Sequence, residues 1–356
     1  MILFIDQSGE MGGAQRVLLS LIQAARGLAP VTVLCPPGPL IAEIGRRFGT
    51  DVTIMYCEAP HATTGRKGVA DIFRLGVYTL RFAQHLSLLR QARLIYVNGS
   101  RQLPTLLALT MLVNRKVLYH VHTDYGQLEK RAIALAERAP NSMGIISNST
   151  FIADRLGTPS TVVENALDDS FSALSFVDRF EGCQPPFQAA VIGKVVLEKG
   201  QDVAARAVAG LPLRLHLIGD DSAKSSAYHA HLVGTTLHGV IQDIPAALDR
   251  LGINFNLVPS VTQEAFGLAA IEGMAASCIT VVSGRGGLSE IATRTGALVA
   301  KDEAALRDTL KRLIAMTQEE RSHLARAQYD ATQEAYAPAR FQRQIRAILA
   351  HALLKT

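Results

Sequence analysis

The most constraining feature of this 356-residue sequence is a rhythm that runs twice. Short apolar runs alternate with amphipathic stretches, pause near the middle of the chain, and begin again. In the first half, Ile2–Ile5, Val31–Leu34, Val52–Met55, Leu94–Val97, Lys116–His120, Gly144–Ser147 and Ser160–Val163 read as strands. Helical stretches such as Gly13–Arg26 and Ala70–Arg93 lie between them. A strand packed on one face alternates apolar and polar residues, whereas one covered on both faces is apolar throughout. Several of these runs are apolar throughout, so the expectation is a parallel, doubly wound α/β sheet. The rhythm stops at residues 166–186, ALDDSFSALSFVDRFEGCQPP, an acidic stretch broken by prolines. It resumes with Gln188–Ile192, Leu213–Ile218, Thr235–His238, Phe255–Pro259, Thr280–Val282 and Gly296–Val299.

The expected organisation is two Rossmann-like domains, 1–168 and 188–337, a linker or lead-in at 169–187, and a terminal helix at 338–356. On that helix Phe341, Ile345, Ile348, Leu349 and Ala352 share one face. With 48% apolar and 19% charged residues, the chain can fill two soluble cores.

Composition also removes function classes. Six per cent aromatics and no Trp argue against stacking-based nucleic-acid binding. The four cysteines (35, 57, 183, 278) fit no metal-ligand spacing and read as buried hydrophobes, with Cys57 the one expected to be partly exposed. The N-terminus has an acid at position 6 and no basic region, unlike a signal peptide. Leu103–Val113, the longest uncharged apolar run, is too short to span a bilayer. The expected location is therefore cytoplasmic, with peripheral attachment to the inner face of the membrane allowed. Residues 1–168 hold 17 Lys/Arg against 12 Asp/Glu, whereas the rest hold 19 of each. Arg66, Lys67, Arg74 and Arg81 belong to this basic excess, which suits an anionic partner such as a lipid surface.

The segment most suggestive of chemistry is VPSVTQEAFGLAAIE, residues 258–272. A strand ends in Pro259, a polar loop follows, and a helix begins near Gly267. Unpaired amides at Phe266–Leu268 can hold phosphate oxygens. Glu264 in the loop and Glu272 in the helix can accept hydrogen bonds from hydroxyl groups. Upstream, Lys194 and Lys199 flank a Gly-bounded loop, GKVVLEKG, at another strand end. In the first half, Gly12 and Gly13 open a helix after strand one, without the G-x-G-x-x-G spacing of a dinucleotide site. His120 and His122 end another strand, with no third metal ligand at recognisable spacing.

The 258–272 segment resembles the E-x7-E motif of glycosyltransferase family 4, and GKVVLEKG resembles that family's phosphate-binding loop, with Lys194 where Arg is usual. Leu237–Val240, including Gly239, resembles the loop that reads the base, and Gly286–Gly287 the family's glycine turn. Glu164-Asn165-Ala166 resembles its segment at the domain junction. The resemblance implies a GT-B fold, with the domains facing across a cleft and the terminal helix crossing back to the first domain. It also implies a retaining, metal-independent transferase with no cofactor, moving a hexose-type sugar from a donor such as a UDP-sugar or GDP-mannose. The acceptor would be a glycan or lipid-linked glycan in polysaccharide, lipopolysaccharide or glycolipid assembly.

The residue roles implied are as follows. His122, Glu264 and Lys199 are catalytic. Gly12, Gly13, Lys194, Gly239, Phe266, Gly267, Leu268 and Glu272 contact the donor with them. Apart from the resemblance, local charge, helical spacing and strand-end position put Arg66, Lys67, Arg74, Arg81 and Asn98 on the side facing the acceptor or a membrane, with Arg74, Tyr78, Arg81 and His85 as a stripe on that surface. Two other readings are a non-catalytic nucleotide-sugar-binding protein and a nucleotide-sugar 2-epimerase on the same fold. Nucleic acid is not an expected partner.

Overall fold

A computed structural model describes residues 1–58, 77–78, 80–99, 103–222, 228 and 230–354. It divides into two compact units, one of residues 1–165 with 339–356 and the other of residues 166–338.

Unit 1 runs β1 (Ile2–Asp6), α1 (Gly13–Ala25), β2 (Val31–Cys35), α2 (Pro39–Phe48), β3 (Val52–Tyr56), α3 (Leu86–Gln91), β4 (Leu94–Asn98), α4 (Leu103–Leu112), β5 (Lys116–Val121), α5 (Gln127–Glu137), β6 (Ser142–Ser147), α6 (Thr150–Leu156) and β7 (Thr161–Val162). The sheet order is β3-β2-β1-β4-β5-β6-β7, parallel throughout. β1, β2 and β4 are buried along their whole length, as their unbroken apolar runs require.

Unit 2 runs α7 (Asp169–Ser172), β8 (Phe187–Ile192), α8 (Gln201–Val208), β9 (Leu213–Ile218), β10 (Thr235–Leu237), α9 (Ile244–Arg250), β11 (Ile253–Val258), α10 (Leu268–Ala275), β12 (Ile279–Val282), α11 (Gly287–Thr295), β13 (Leu298–Val299), α12 (Glu303–Ala315) and α13 (Gln318–Ala335). Its sheet, β10-β9-β8-β11-β12-β13, is also parallel. Both sheets wind outwards from one central pair, β1/β4 in the first and β8/β11 in the second. Loops leaving the carboxyl ends of such a pair diverge and leave a crevice, the usual ligand position in open α/β sheets.

The last helix, α14 (Pro338–Leu354), belongs to unit 1. Phe341, Ile345, Leu349 and Ala352 are buried, and Arg346 donates to the carbonyls of Ala24 and Arg26 at 3.2 and 2.7 Å, where α1 ends. Lys116 Nζ reaches the Ala352 carbonyl at 2.8 Å.

Residues 169–187, expected as a linker or lead-in, belong to unit 2: Phe171 and Phe180, at 2% and 0% exposure, are packed into its two hydrophobic clusters. Three other expectations are corrected. Among the cysteines Cys57 is buried and Cys183 is the one partly exposed. The long helix expected from residue 70 is broken where it is described, with a 3-10 turn at Ala83–His85 before α3. Tyr78 on its expected surface stripe is 5% exposed, packed beside Phe82 rather than presented to solvent. Among the described residues, no helix is long and apolar enough to cross a membrane.

Candidate functional site

In unit 2 the loops after β8 and β11 meet at the central crevice because glycine lets them touch. Gly200 has φ +69°, and a Cβ there would lie 2.2 Å from the Pro259 carbonyl oxygen. Across the same contact the Val261 amide donates to the Glu198 carbonyl at 3.0 Å. Lys199 is thereby delivered to Glu264, with Nζ 2.6 Å from Oε1. Ser260 Oγ donates to the same oxygen at 2.6 Å. One carboxylate oxygen thus takes two donors, leaving Oε2 of Glu264 and two of the three Lys199 protons for a ligand. Side-chain exposures of 37% for Lys199 and 16% for Glu264 keep the pair accessible.

The glycine turn after β12 clamps this loop from the other side. Gly287 N donates to the Glu264 carbonyl at 2.8 Å and Glu264 N to the Arg285 carbonyl at 3.3 Å. A Cβ on Gly287 would meet the Ala265 oxygen at 2.7 Å, so the approach demands glycine. Gly267 caps the start of α10 with φ +120°, and no side chain caps that end. Leu268 is the helix's first residue. The Phe266 ring is 4% exposed and packs edge-on against Tyr336, so only its backbone is available to a ligand. Glu272 is buried at 4% exposure and already engaged within the protein. Lys194 Nζ lies 3.8 Å from Asp220 Oδ2, in a half-exposed pair that solvent screens. Gly239 lies two strands out from the central pair, its carbonyl accepting from Gly219 N at 2.8 Å.

In unit 1 a second cluster sits at the β1/β4 crevice. Strand register sets Asp6 beside Asn98 and Asn98 beside His120. Asp6 is fully buried. Its Oδ1 accepts from the Ser8 amide at 2.9 Å and Gln15 Nε2 at 2.8 Å. Its Oδ2 accepts from Asn98 Nδ2 at 2.6 Å. Asn98 Nδ2 also donates to the Ala14 carbonyl at 3.2 Å, and Asn98 Oδ1 lies 2.7 Å from His122 Nε2. The His122 ring packs on that of His120, with centroids 4.0 Å apart. Tyr96 OH contacts His120 Nδ1 at 3.0 Å. Burial pushes His122 down to about 4 and His120 well below the usual imidazole range, the latter helped by His122. Burial raises Asp6 against the opposing pull of its hydrogen-bond donors.

The expected acceptor-side residues fare differently. Asn98 is 0% exposed and its amide is consumed inside the cluster, so it faces no acceptor. Arg81 makes a two-oxygen contact with Glu58 at 2.8 and 2.9 Å. Arg66, Lys67 and Arg74 lie outside the described residues. Gly12 caps α1 and Gly13 begins it, and this turn sets Gln15 against Asp6. The glycine that sterics demand in this loop is Gly9, where a Cβ would lie 2.3 Å from the Pro37 oxygen. Sequence reasoning missed Asp6, Gln15 and Ser260; only Asp6 carries a signal, a charge ending an otherwise apolar run. Among the described residues, no three His, Cys, Asp or Glu side chains group as metal ligands would.

Comparison with known proteins agrees with this architecture. Residues 187–316 match the family model described as Glycosyl transferases group 1. A search of curated proteins found no significant match. Among solved structures, HepE of Anabaena in complex with UDP and glucose superposes with a TM-score of 0.80 at 19% identity, over 98% of each chain. Sucrose-phosphate synthase of Thermosynechococcus elongatus gives 0.77 at 16%, covering 99% of this chain and 98% of that one. A glycosyltransferase of Rickettsia africae gives 0.73 at 14%, covering 100% and 99%. The chain therefore has the two-unit Rossmann-like fold of GT-B glycosyltransferases, and its second unit carries the sequence pattern of glycosyl transferases group 1.

Proposed function

We propose that this protein is a retaining glycosyltransferase that moves a sugar from a nucleoside-diphosphate donor to an acceptor hydroxyl. The observation carrying the proposal is the Lys199–Glu264–Ser260 arrangement at the β8/β11 crevice, inside the stretch matched by the family model. Breaking the sugar–phosphate bond builds negative charge on the departing diphosphate. Lys199 has two free donors for that charge, and the amides at 266–268 supply further ones at the start of α10. Glu264, anchored through Oε1, offers Oε2 to a hydroxyl of the sugar. Glu272 would take the ribose by exchanging its internal partner for a hydroxyl, and Lys194 would leave Asp220 to reach the phosphates. None of these groups needs a metal ion. Retention follows if the acceptor attacks on the face the diphosphate leaves. His122 is assigned a contact with a hydroxyl of the sugar.

The neighbouring Anabaena protein has been captured with UDP, with UDP-glucose, and with UDP and glucose, which makes UDP-glucose the first donor to try. A glycan or lipid-linked glycan is the acceptor class, and the basic excess in residues 60–120 suits an anionic membrane near it. A melting-temperature panel of UDP-, GDP-, ADP- and TDP-sugars, followed by a donor-consumption assay, tests the reading. One sugar nucleotide should stabilise the protein, and a suitable acceptor should then raise nucleotide release. No stabilisation by any of them would overturn the proposal.

A further inference from the structure

The unit 1 cluster fixes more than a position. An amide side chain can sit either way round, and an imidazole can carry its proton on either nitrogen, so geometry must decide both. The Ala14 carbonyl can only accept, so the Asn98 atom 3.2 Å away must be the NH2 group. The Ser8 amide can only donate, so Asp6 Oδ1 must accept there. Asp6 Oδ2 then meets the Asn98 NH2 group and accepts as well. With its nitrogen committed, Asn98 presents Oδ1 to His122 Nε2 at 2.7 Å, which requires that nitrogen to donate. His122 Nδ1 is left with the lone pair, and among the described residues the one hydrogen bond made by the ring is that of Nε2 with Asn98.

We propose that Asp6 and Asn98 are positioning residues for His122: they lock its ring as the Nε2–H tautomer and reserve Nδ1 to accept a hydrogen bond from a hydroxyl of the transferred sugar. The role assigned to the sugar rests on the glycosyltransferase reading above, whereas the tautomer does not. The lowered basicity of His122 agrees with a neutral ring, which alone has such a lone pair.

An isosteric change separates this from mere packing. In Asp6→Asn the oxygen stays with the Ser8 amide, so the new NH2 group confronts that of Asn98. Asn98 relieves the clash by turning over, at the expense of its Ala14 contact, the longest of those it makes. It then offers NH2 to His122 Nε2, and the proton must move to Nδ1.

Long-range proton–nitrogen NMR of the full chain labelled with 15N-histidine reads the tautomer directly, with His122 assigned by its loss in His122→Gln. The wild type should show a protonated Nε2 and an unprotonated Nδ1, and Asp6→Asn the reverse. With the donor that the panel identifies, Asp6→Asn should lower kcat about 10- to 100-fold, by analogy with loss of the partners that orient metal-bound histidines. Donor KM should stay within about twofold, because the loss is realised at the reacting sugar. In a His122→Gln background Asp6→Asn should cost nothing further. If Asp6→Asn does not fold, Asn98→Ser serves, since removing the Nε2 acceptor should give mixed tautomers. A wild-type Nδ1–H ring, a folded Asp6→Asn with its tautomer unchanged, or additive losses in the double variant would overturn the proposal. An Nε2–H ring in a protein that transfers no sugar would uphold the lock and defeat the glycosyltransferase reading.

Discussion

Glu264 Oε1 holds two donors at 2.6 Å, and each should be measurable by removal. Lys199→Met takes away the charge facing the leaving diphosphate and should cut kcat by about 10²–10³-fold, as for loss of one preorganised electrostatic group. Ser260→Ala removes an ordinary hydrogen bond of about 1 kcal/mol and should cost about fivefold. Initial rates of nucleotide release check both, and equal losses would mean the ammonium has no special role. The two imidazoles of the unit 1 cluster also set a pH response. His122 is depressed from 6.5 to about 4, so the stability linked to it is fully present above pH 6.5 and is lost as pH falls towards 4. His122→Gln should flatten the fall in melting temperature across that window, by at most about 1.4 kcal/mol per pH unit for one proton. Asp6 is common to both proteins, so the difference reports His122 together with the part of the His120 shift that His122 causes. Glu264 and Lys199 stood out in the sequence because their motifs are local. Asp6 did not, because its partners Gln15, Asn98 and Ser8 are joined to it by strand register and a turn.

Among the elements, glycines decide how closely two loops approach. Gly200 and Gly252 both hold positive φ, +69° and +61°, but only Gly200 has backbone against its missing side chain. Alanine at either position incurs the left-handed strain of about 1–2 kcal/mol. Gly200→Ala adds the collision with Pro259, which only separation of the two loops relieves. It should therefore melt lower than Gly252→Ala and lose most of its stabilisation by sugar nucleotide, both visible in one thermal-shift series. Equal behaviour of the two variants would show that the loop contact is dispensable. Strands were legible because burial on both faces leaves an unbroken apolar run. The stretch from Ala83 was less legible: its helical pattern continues through a 3-10 turn that follows the buried rings of Tyr78 and Phe82.

For the whole molecule, the terminal helix is the clearest case of distant sequence completing a core. Phe341, Ile345 and Leu349 are almost fully buried in unit 1, about 1.5–3 kcal/mol each on the usual scale. A chain ending at Ala337 should lose about 5 kcal/mol or more from unit 1, comparable with the stability of an entire domain. Hydrogen exchange should then accelerate in α1 and β5, where Arg346 and Lys116 tie the helix down, while unit 2, made as residues 166–338, stays folded and binds the sugar nucleotide. Unchanged exchange in unit 1 would refute the dependence.

The sequence alone determined two doubly wound sheets, because each burial pattern is written into its own strand, and it marked the loop chemistry at 194–199 and 258–272. Tertiary structure decided the rest. It packed residues 169–187 into unit 2, buried Asn98 and made it a partner of Asp6 and His122, and joined Lys199 to Glu264 across 65 residues. Such pairings depend on strand order and on loops approaching to within a missing Cβ, and no local pattern of residues encodes either.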